Sequence, residues 1–254
     1  IMKDVLATVK SNYAIAENIY MMTLTLSESV GEIHGGQFVN LSTGDNSQLL
    51  RRPLGVMKAE GDDVTVCYQL KGEGTRNLAK AEKGQKLKVL LPLGNGFNLG
   101  DKRNVAVIGG GVGIFPLIAT VREYCGDKNF YSYIGFRNKN AVCLTDELEK
   151  SKKLTVVTDD GSYGKKGNAV DAYFDDAENV KADLIIACGP PVMLKVLKQK
   201  LTARGINTPC LVSLEERMGC GVGACLVCVC KKHDGENARV CKDGPVFDIN
   251  EVEL

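Results

Sequence analysis

Apolar and polar residues alternate along much of the first 100 positions. Segment 22–26 alternates methionine or leucine with threonine, and segment 64–70 shows the clearest period of two. Alternation at every second residue gives a strand one apolar face. We therefore predict a small antiparallel barrel or sandwich over residues 1–100. Glycine-rich turns punctuate this region at residues 35–36, 44–46 and 61–63.

Beyond residue 100, short continuous apolar segments alternate with segments of helical period. Pro116 and Pro191 stand where helices begin, because the first helical turn tolerates proline. Strands that alternate with helices form a parallel sheet covered on both faces. We predict a doubly wound parallel α/β domain over residues 101–214 and a small C-terminal lobe over residues 215–254, within an α+β multi-domain fold. The predicted strands of the α/β domain are 105–108, 130–134, 154–157, 184–187 and, last, 211–214.

The charge balance narrows the range of partners. The 254 residues include 32 Lys plus Arg and 31 Asp plus Glu, which gives a net charge of +1. This balance gives no reason to expect a nucleic acid or an anionic membrane as partner. The longest uncharged run, residues 104–121, contains four glycines and a proline, which indicates a buried strand and loop rather than a membrane span. No basic-then-apolar signal opens the chain, so we expect a cytoplasmic protein.

Ten cysteines without a secretion signal argue against a disulfide scaffold. The spacing Cys220-x4-Cys225-x2-Cys228-x12-Cys241 is typical of the plant-type ligand pattern of a [2Fe-2S] cluster. Small residues between these cysteines allow a sharp turn whose N–H groups can point at the sulfurs. Cys230 fits no ligand position. The alternatives are a structural zinc site, which usually has two short cysteine pairs, and thiols that bind no metal.

A glycine loop joins the first strand of the α/β domain to its first helix. Gly110, Gly111 and Gly113 let the backbone approach a pyrophosphate, although glycines there also serve tight strand–helix packing. The order strand, loop, helix favours a dinucleotide. Asp159 and Asp160 follow a later strand. A carboxylate there that accepts a hydrogen bond from the ribose 2′-OH, and repels a 2′-phosphate, favours NAD over NADP. The alternative is an ordinary Asp-Asp-Gly turn.

Three further side chains are candidates for contacts with a cofactor. Arg52, beside a proline, suits a fixed phosphate clamp, and the alternative is a solvated basic pair with its neighbour. Tyr68 lies on the clearest strand, where it serves either as half-buried packing or as a ligand contact. Cys188 follows a strand of the α/β domain, and it is either close to a nicotinamide ring or simply a small buried residue.

Taken in order, these motifs resemble the electron-transfer subunits of class B dihydroorotate dehydrogenases, a family in the ferredoxin-reductase superfamily. The resemblance spans essentially the whole chain, and the cysteine segment, which continues to residue 246, is its most specific part. The motifs lie at residues 52–55, 72–75, 92–97, 109–113, 188–190 and 215–225.

The resemblance implies an FAD-binding barrel, an NAD-binding domain and a [2Fe-2S] lobe. It also implies an electron relay in pyrimidine biosynthesis: an FMN-containing catalytic subunit oxidises dihydroorotate, and the electrons pass through the cluster and FAD to NAD+. The expected assembly is a two-plus-two heterotetramer. No catalytic acid or base is expected, because hydride transfer to NAD+ needs none. Carried over by motif, the residues along the FAD are Arg52, Pro53, Leu54, Gly55, Tyr68, Gln69 and Leu70, with Gly74 and Thr75 at its pyrophosphate, and the cluster ligands are Cys220, Cys225, Cys228 and Cys241.

The chain departs from the wider superfamily at two of these positions. Leu54 stands where a tyrosine stacks on the flavin, and Gly55 stands where a hydroxyl reaches the flavin N5. The phosphate clamp at Arg52 is kept, so the departure bears on the flavin's potential and hydride-transfer rate rather than on FAD binding. Two other functions stay open: a ferredoxin–NAD(P) or sulfide-linked reductase subunit, and a zinc-stabilised, non-redox binding module.

Overall fold

The N-terminal part of the computed structural model is a closed antiparallel barrel. The structure describes residues 2–45 and 48–254, so Asn46, in the turn predicted at 44–46, lies outside the described residues. The barrel elements are β1 (Lys3–Ala16), β2 (Ile19–Leu26), β3 (Phe38–Leu41), β4 (Arg52–Glu60), β5 (Asp63–Gln69), helix α1 (Glu73–Ala79) and β6 (Lys86–Leu93). The six strands close in the order β1-β2-β5-β4-β3-β6, which confirms a barrel and excludes the sandwich.

Alternating apolar residues fill the interior of the barrel. Val9, Leu24, Val39 and Val66 are fully buried and pack in one cluster. The strand with the clearest alternation, β5, is nevertheless buried on both faces, because Cys67 on its outer face packs into the core of the neighbouring domain. The barrel and that domain therefore share an apolar contact at β5.

The second part of the chain alternates strands and helices, as predicted. Its elements are β7 (Asn104–Gly110), α2 (Ile114–Tyr124), β8 (Asn129–Phe136), β9 (Lys153–Thr158), β10 (Lys165–Lys166), α3 (Ala169–Phe174), α4 (Ala177–Val180), β11 (Leu184–Cys188), α5 (Pro191–Ala203) and β12 (Cys210–Ser213). The C-terminal segment adds β13 (Val229–Lys231), β14 (Asn237–Arg239) and β15 (Val246–Asp248).

The central sheet has seven strands in the order β10-β9-β8-β7-β11-β12-β15, and all neighbouring pairs are parallel except β12 with β15. Helix α2 packs on one face through Leu117, Ile118 and Val121. Helix α5 packs on the other face through Leu194 and Leu197. Helices on both faces confirm the doubly wound architecture.

The prediction that strand 211–214 ends the central sheet is wrong. Strand β15 pairs with β12 in antiparallel register, with Leu211 opposite Asp248 and Ser213 opposite Val246. A strand of three residues carries too little periodicity to be predicted, because its stability comes from the partner strand rather than from its own residues. The expected division of the chain at residues 100 and 214 stays a prediction.

The C-terminal segment packs on the central domain rather than on itself. Phe247, Ile249 and Val252 are buried in the same cluster as Leu194 and Leu197 of α5. This segment therefore shares its apolar core with the central sheet. None of the helices within residues 2–45 and 48–254 combines the length and the hydropathy that a membrane span requires.

Candidate functional site

A cleft of about 250 Å³ opens between the barrel and the central domain. Strands β4 and β5 form its barrel side, and the loop after β7 and the end of β11 form the opposite side. The predicted residues that line this cleft are Arg52, Pro53, Leu54, Gly55, Tyr68, Gln69, Thr75 and Cys188. Leu70 instead packs at the edge of the barrel core. Gly74 does not line the cleft but lies directly behind Arg52.

The guanidinium of Arg52 is held on the surface of helix α1. Its Nη2 donates to Oε1 of Gln48 at 2.5 Å, and its Nη1 donates to the carbonyl of Leu50. A Cβ at residue 74 would overlap the guanidinium, so only glycine leaves room for this position. Arg52 is therefore a fixed cation at the mouth of the cleft, which suits a phosphate group.

A network anchors Tyr68 in the wall of the cleft. Its hydroxyl donates to Oδ1 of Asn12 at 2.9 Å, and Nδ2 of Asn12 donates to the carbonyls of Leu78 at 2.9 Å and Ala81 at 3.0 Å. Burial raises the pKa of Tyr68, so this hydroxyl stays protonated. Sequence analysis missed Asn12, because nothing local marks an asparagine on a strand as the partner of a residue 56 positions away.

Cys188 and two acidic residues lie on the far side of the cleft. Cys188 is 2% exposed, and burial together with the charge of Glu215 raises the pKa of its thiol to about 12. It is therefore a neutral thiol at neutral pH. Glu215 and Glu216 also line the cleft, although sequence analysis assigned them no role. Their position just before the cysteine segment is the signal that could have found them.

Gly55 faces the glycine loop across the cleft. A Cβ at this residue would lie 3.7 Å from Cδ of Pro116, which is an ordinary contact distance. Nothing in the packing of Gly55 therefore requires glycine, and a serine side chain fits there. The missing hydroxyl is a property of this sequence and not a steric necessity.

The three glycines of the loop after β7 have different roles. A Cβ at Gly113 would come within 2.5 Å of the Cys188 carbonyl, and one at Gly110 within 2.7 Å of the Met193 sulfur, so both serve packing. Gly111 has a φ of +53° and open space where its Cβ would be. Only the backbone of Gly111 is thus both free and shaped for close approach by a ligand.

A second cavity of about 430 Å³ lies at this loop, along the carboxyl ends of the central strands. Gly110, Gly111 and Asp159 line it, together with the apolar side chains of Val192 and Met193. Such an edge is where parallel α/β sheets bind ligands.

The two neighbouring aspartates are not equivalent. Asp159 lines the second cavity, whereas Oδ1 of Asp160 accepts from the N–H of Ser162 at 2.9 Å and from its hydroxyl at 2.6 Å. These hydrogen bonds hold the pKa of Asp160 below its ordinary value. Asp160 therefore closes its own turn, and Asp159 is the carboxylate available to a ligand.

The four predicted cluster cysteines converge in two pairs. The N–H of Cys220 points at Sγ of Cys225 at 3.3 Å, and the N–H of Cys225 points back at Sγ of Cys220 at 3.4 Å. The N–H of Cys241 points at Sγ of Cys228 at 3.4 Å. Gly223 connects the two pairs. It lies in the loop between Cys220 and Cys225, and its N–H points at Sγ of Cys241 at 3.1 Å.

Backbone donors make Cys220 unusually acidic. Burial acts against ionisation, but hydrogen bonds from the N–H groups of Val222, Cys225 and Ala224 lower the pKa of Cys220 to about 6. Burial and the neighbouring thiol of Cys228 raise the pKa of Cys241 to about 12. In residues 2–45 and 48–254, no three His, Cys, Asp or Glu side chains are arranged to share a single metal ion. A two-iron cluster instead takes four thiolates, so that each iron is held by two.

Two family models match the chain. Residues 215–253 match the iron-sulfur cluster binding domain of dihydroorotate dehydrogenase B. Residues 107–199 match an oxidoreductase NAD-binding domain.

Relatives resemble the chain over nearly its full length. The electron transfer subunit of dihydroorotate dehydrogenase B (NAD(+)) from Streptococcus mutans is 39% identical and covers 97% of each chain. The subunit of the same name from Geobacillus kaustophilus is 40% identical, again over 97% of each chain. A solved NADH-dependent reduced ferredoxin-NADP oxidoreductase is 29% identical with a TM-score of 0.85, covering 97% of this chain and 89% of its own. The cytochrome b5 reductase domain of Ulva prolifera nitrate reductase shares the fold, with a TM-score of 0.66 at 15% identity over 81% of this chain and 94% of its own.

Proposed function

The chain belongs to the family of dihydroorotate dehydrogenase B electron transfer subunits, and we propose that it passes electrons from a catalytic partner subunit to NAD+ in pyrimidine biosynthesis. The observation that carries this proposal is the placement of two sites side by side. The segment that follows Glu215 and Glu216 in the wall of the flavin cleft is the segment that carries the four paired cysteines. When bound, an iron–sulfur cluster supplies one-electron exchange and a flavin supplies exchange with NAD+.

Cys220 and Cys225 would hold one iron of a [2Fe-2S] cluster, and Cys228 and Cys241 the other. The reciprocal N–H contacts of Cys220 and Cys225, and the contact from the N–H of Cys241 to the Cys228 sulfur, support this pairing. Thiolates are required as ligands, and the depressed pKa of Cys220 supplies one before metal arrives. The N–H groups aimed at the sulfurs would stabilise the negative charge that a bound cluster gains on reduction.

The cleft between barrel and central domain fits FAD. Arg52 would bind its pyrophosphate beside Thr75, and the space kept free at Gly74 is the feature that positions this cation. Pro53, Leu54, Gly55, Tyr68 and Gln69 would lie along the flavin and its chain. Leu54 would pack against the flavin without the aromatic stacking of a tyrosine, and Gly55 would offer it no hydroxyl, so this strand would supply no side-chain hydrogen-bond donor to a bound flavin.

NAD would bind at the second cavity, with its pyrophosphate against the open backbone of Gly111. Asp159 would accept from the adenosine 2′-OH and repel a 2′-phosphate, which favours NAD over NADP. Cys188 is the last residue of β11 and also lines the cleft between the barrel and the central domain. Its neutral thiol would therefore lie where the nicotinamide meets the flavin. It would shape the floor of the site rather than donate or accept a proton.

The catalytic partner would dock on the rim of the cysteine loop. Leu226 and Val227 are 62% and 54% exposed, and Val222 is 37% exposed, around the exposed Cys225. An apolar rim of this kind excludes water from a contact with another subunit. We expect that partner to carry FMN, in a two-plus-two heterotetramer located in the cytoplasm. The ten free thiols support a reducing compartment.

A second candidate is a ferredoxin–NADP reductase, favoured by the 29% identical structure of that activity. The position of Asp159 in the second cavity argues for NAD in place of NADP. The match of residues 215–253 to the cluster-binding domain of dihydroorotate dehydrogenase B supports the first candidate.

In the deciding experiment, the anaerobically purified protein is mixed with an FMN-containing dihydroorotate dehydrogenase subunit. We expect a red-brown protein with iron and sulfide in equal amounts, and dihydroorotate-dependent formation of NADH only when both subunits are present. NADH formation that does not increase when the FMN subunit is added would refute the proposal. A colourless, zinc-containing protein would refute both redox candidates and support the binding module.

A further inference from the structure

The loop that carries the first cysteine pair is hydrogen-bonded to the rest of the chain at a single residue. Among the described residues, two hydrogen bonds lead out of loop 220–225, and both involve Gly223. Its N–H points at Sγ of Cys241 at 3.1 Å, and its carbonyl accepts from Nη1 of Arg239 at 3.3 Å. The placement of Gly223 therefore sets how the first pair lies relative to the second.

Arg239 reaches this carbonyl because Asp243 orients its side chain. Nε of Arg239 donates to Oδ2 of Asp243 and Nη2 donates to Oδ1, both at 2.9 Å, in a two-pronged ion pair. The backbone N–H of Arg239 donates to the same Oδ2 at 2.8 Å, and the N–H of Asp243 donates to the carbonyl of Arg239 at 2.8 Å. The guanidinium is thus held in one orientation, with Nη1 directed at Gly223.

An ion pair between two residues four apart on the surface would by itself suggest no function. The side chains of Arg239 and Asp243 are 32% and 36% exposed, and pairs of this kind contribute little to stability. The contact with Gly223 is different, because it joins residues 16 positions apart that belong to the two cysteine pairs. This third contact is what gives the ion pair a structural consequence.

The same segment also packs against Gly223 itself. A Cβ at this residue would lie 2.7 Å from Cδ and 3.0 Å from Cβ of Lys242, so the stem of Lys242 lies against its Cα. Gly223 has a φ of +81°, a conformation that favours glycine. Arg239, Cys241 and Lys242 thus contact one glycine at its carbonyl, its N–H and its Cα.

Segment 239–243 is in turn fixed to the barrel. The carbonyl of Asp243 accepts from Nδ2 of Asn95, which follows the last barrel strand, at 3.1 Å. Two residues after Asp243, Pro245 lines the flavin cleft. A side chain that fixes the loop to this segment therefore also fixes the loop relative to the wall of the cleft.

These contacts bear on a cluster bound between the two pairs. The reduction potential of such a cluster depends on the charge near it and on the hydrogen bonds to its sulfurs. Arg239 carries a permanent positive charge, and it holds the residue whose N–H points at the Cys241 sulfur. It would therefore favour the reduced state in two ways: through its charge, and through a hydrogen bond that depends on the shape of the guanidinium.

We propose that Arg239 is a positioning residue of the cysteine site: its guanidinium, oriented by Asp243, holds Gly223 so that the N–H of Gly223 stays on the Cys241 sulfur and raises the reduction potential of the bound cluster. The inference rests on the proposed function, since it assumes that the four cysteines bind a [2Fe-2S] cluster. It assigns a role to a residue that is neither a predicted ligand nor part of the flavin cleft.

The test compares Arg239→Gln, which removes the charge and the ion pair, with Arg239→Lys, which keeps the charge but not the planar group that binds Asp243 and Gly223 together. The anaerobically purified full chain is titrated to obtain the midpoint potential of its cluster from the paramagnetic signal of the reduced state, and iron release to a chelator is timed. We expect both variants to shift the reduction equilibrium at least threefold towards the oxidised state, which is about 30 mV for one electron. Both should also release iron at least threefold faster than the wild type.

Asp243→Asn separates positioning from charge. This variant keeps the guanidinium but weakens the ion pair that orients it, and it makes the segment more positive by one charge. A role through charge alone predicts a higher potential, whereas loss of positioning predicts a lower one. We therefore expect a shift towards the oxidised state, in the same direction as in the two Arg239 variants.

Lys231→Gln is the matched control, because it removes one positive charge from an exposed residue of β13 in the same part of the chain. It should keep the wild-type potential and rate of iron release. Wild-type values for Arg239→Gln or Arg239→Lys would overturn the inference, and so would a raised potential for Asp243→Asn. If an Arg239 variant retains no cluster, the potential of Asp243→Asn decides. A wild-type protein that binds no iron would instead refute the proposed function.

Discussion

At the scale of single residues, the candidate site depends on where side chains are absent as much as on where they are present. Gly74 leaves the space that the guanidinium of Arg52 occupies, and Gly113 leaves the space that the Cys188 carbonyl needs. Gly55, in contrast, has room for a larger residue. The same residue type is thus required at two positions and replaceable at a third, and only the neighbours distinguish them.

Gly74→Ala should weaken FAD binding at least tenfold, because the new methyl group displaces the guanidinium of Arg52. Titration of the flavin-free protein with FAD, followed by flavin fluorescence, measures this. Gly72→Ala is the control: it lies at the start of the same helix, and its Cβ would meet no atom within 4 Å. Equal FAD affinity in both variants would show that Arg52 does not bind the cofactor.

Cys225→Ser should abolish the visible cluster bands and most of the iron, because hydroxyl oxygen is a poor ligand for iron in this setting. Cys230→Ser should keep both, since Cys230 lies on β13 outside the paired thiols. Iron analysis and the absorption spectrum of anaerobically purified protein provide the comparison. Retention of the full iron content by Cys225→Ser would remove it from the ligand set.

At the scale of elements, the start of α4 is fastened to the central sheet by one carboxylate, that of Asp176. Oδ2 of Asp176 accepts from the hydroxyl of Tyr133 at 2.6 Å and from Nζ of Lys153 at 2.5 Å, and Oδ1 accepts from Asn179 at 3.1 Å. Burial would raise the pKa of Asp176, but these donors outweigh it and lower the pKa to about 2. The carboxylate therefore ties β8, β9 and α4 together.

Asp176→Asn should lower the free energy of unfolding by about 1–2 kcal/mol at pH 7, since a charged acceptor of several hydrogen bonds is lost. A carboxylate with a depressed folded pKa stabilises the fold above its unfolded pKa of about 4 and loses this effect as the pH falls towards 2. Urea unfolding at pH 7, 5, 4 and 3 should show the gap between wild type and variant shrink at the lowest values. Asp175→Asn, at the exposed neighbouring position, should show no comparable gap. A gap that is constant with pH would contradict the assignment.

At the scale of the whole molecule, two joints hold the three parts of the chain together. Glu123 on α2 binds the barrel through Nδ1 of His34 and the N–H of Gly35, both at 2.7 Å. Asn95, after the last barrel strand, joins the C-terminal segment: its Nδ2 donates to the carbonyls of Asp243 at 3.1 Å and Val246 at 3.2 Å, and its Oδ1 accepts from the N–H of Val246 at 3.0 Å. The cysteine segment is thus fixed to the barrel as well as to the central sheet.

Asn95→Ala should destabilise this joint by about 1–3 kcal/mol, because the backbone groups of residues 243–246 lose their partners. A thermal melt should shift downwards by roughly 2–4 °C for each kcal/mol in a chain of this size. Asn98→Ala is the control, since Oδ1 of Asn98 accepts only from the nearby N–H of Gly100. Equal melting temperatures for the two variants would show that the joint contributes nothing to stability.

The sequence by itself determined the elements and the chemistry that depend on neighbours along the chain. The alternation in segments 22–26 and 64–70 predicted barrel strands, and the strand–helix order predicted the doubly wound sheet. The cysteine spacing predicted the cluster ligands, which are still to be tested. These features are local, because the periodicity of a strand or helix and the reach of a short loop are set within a few residues.

Tertiary structure alone decided the contacts between distant segments. Strand β15 exists because β12 presents an open edge, and its three residues carry no signal of their own. Asn12 acquires its role from Tyr68, which lies 56 positions further along the chain. Only the fold separates Asp159, which faces a cavity, from Asp160, which closes a turn. The physical reason is that burial and hydrogen-bond partners are properties of the packed chain, so identical residue types in sequence become different groups in space.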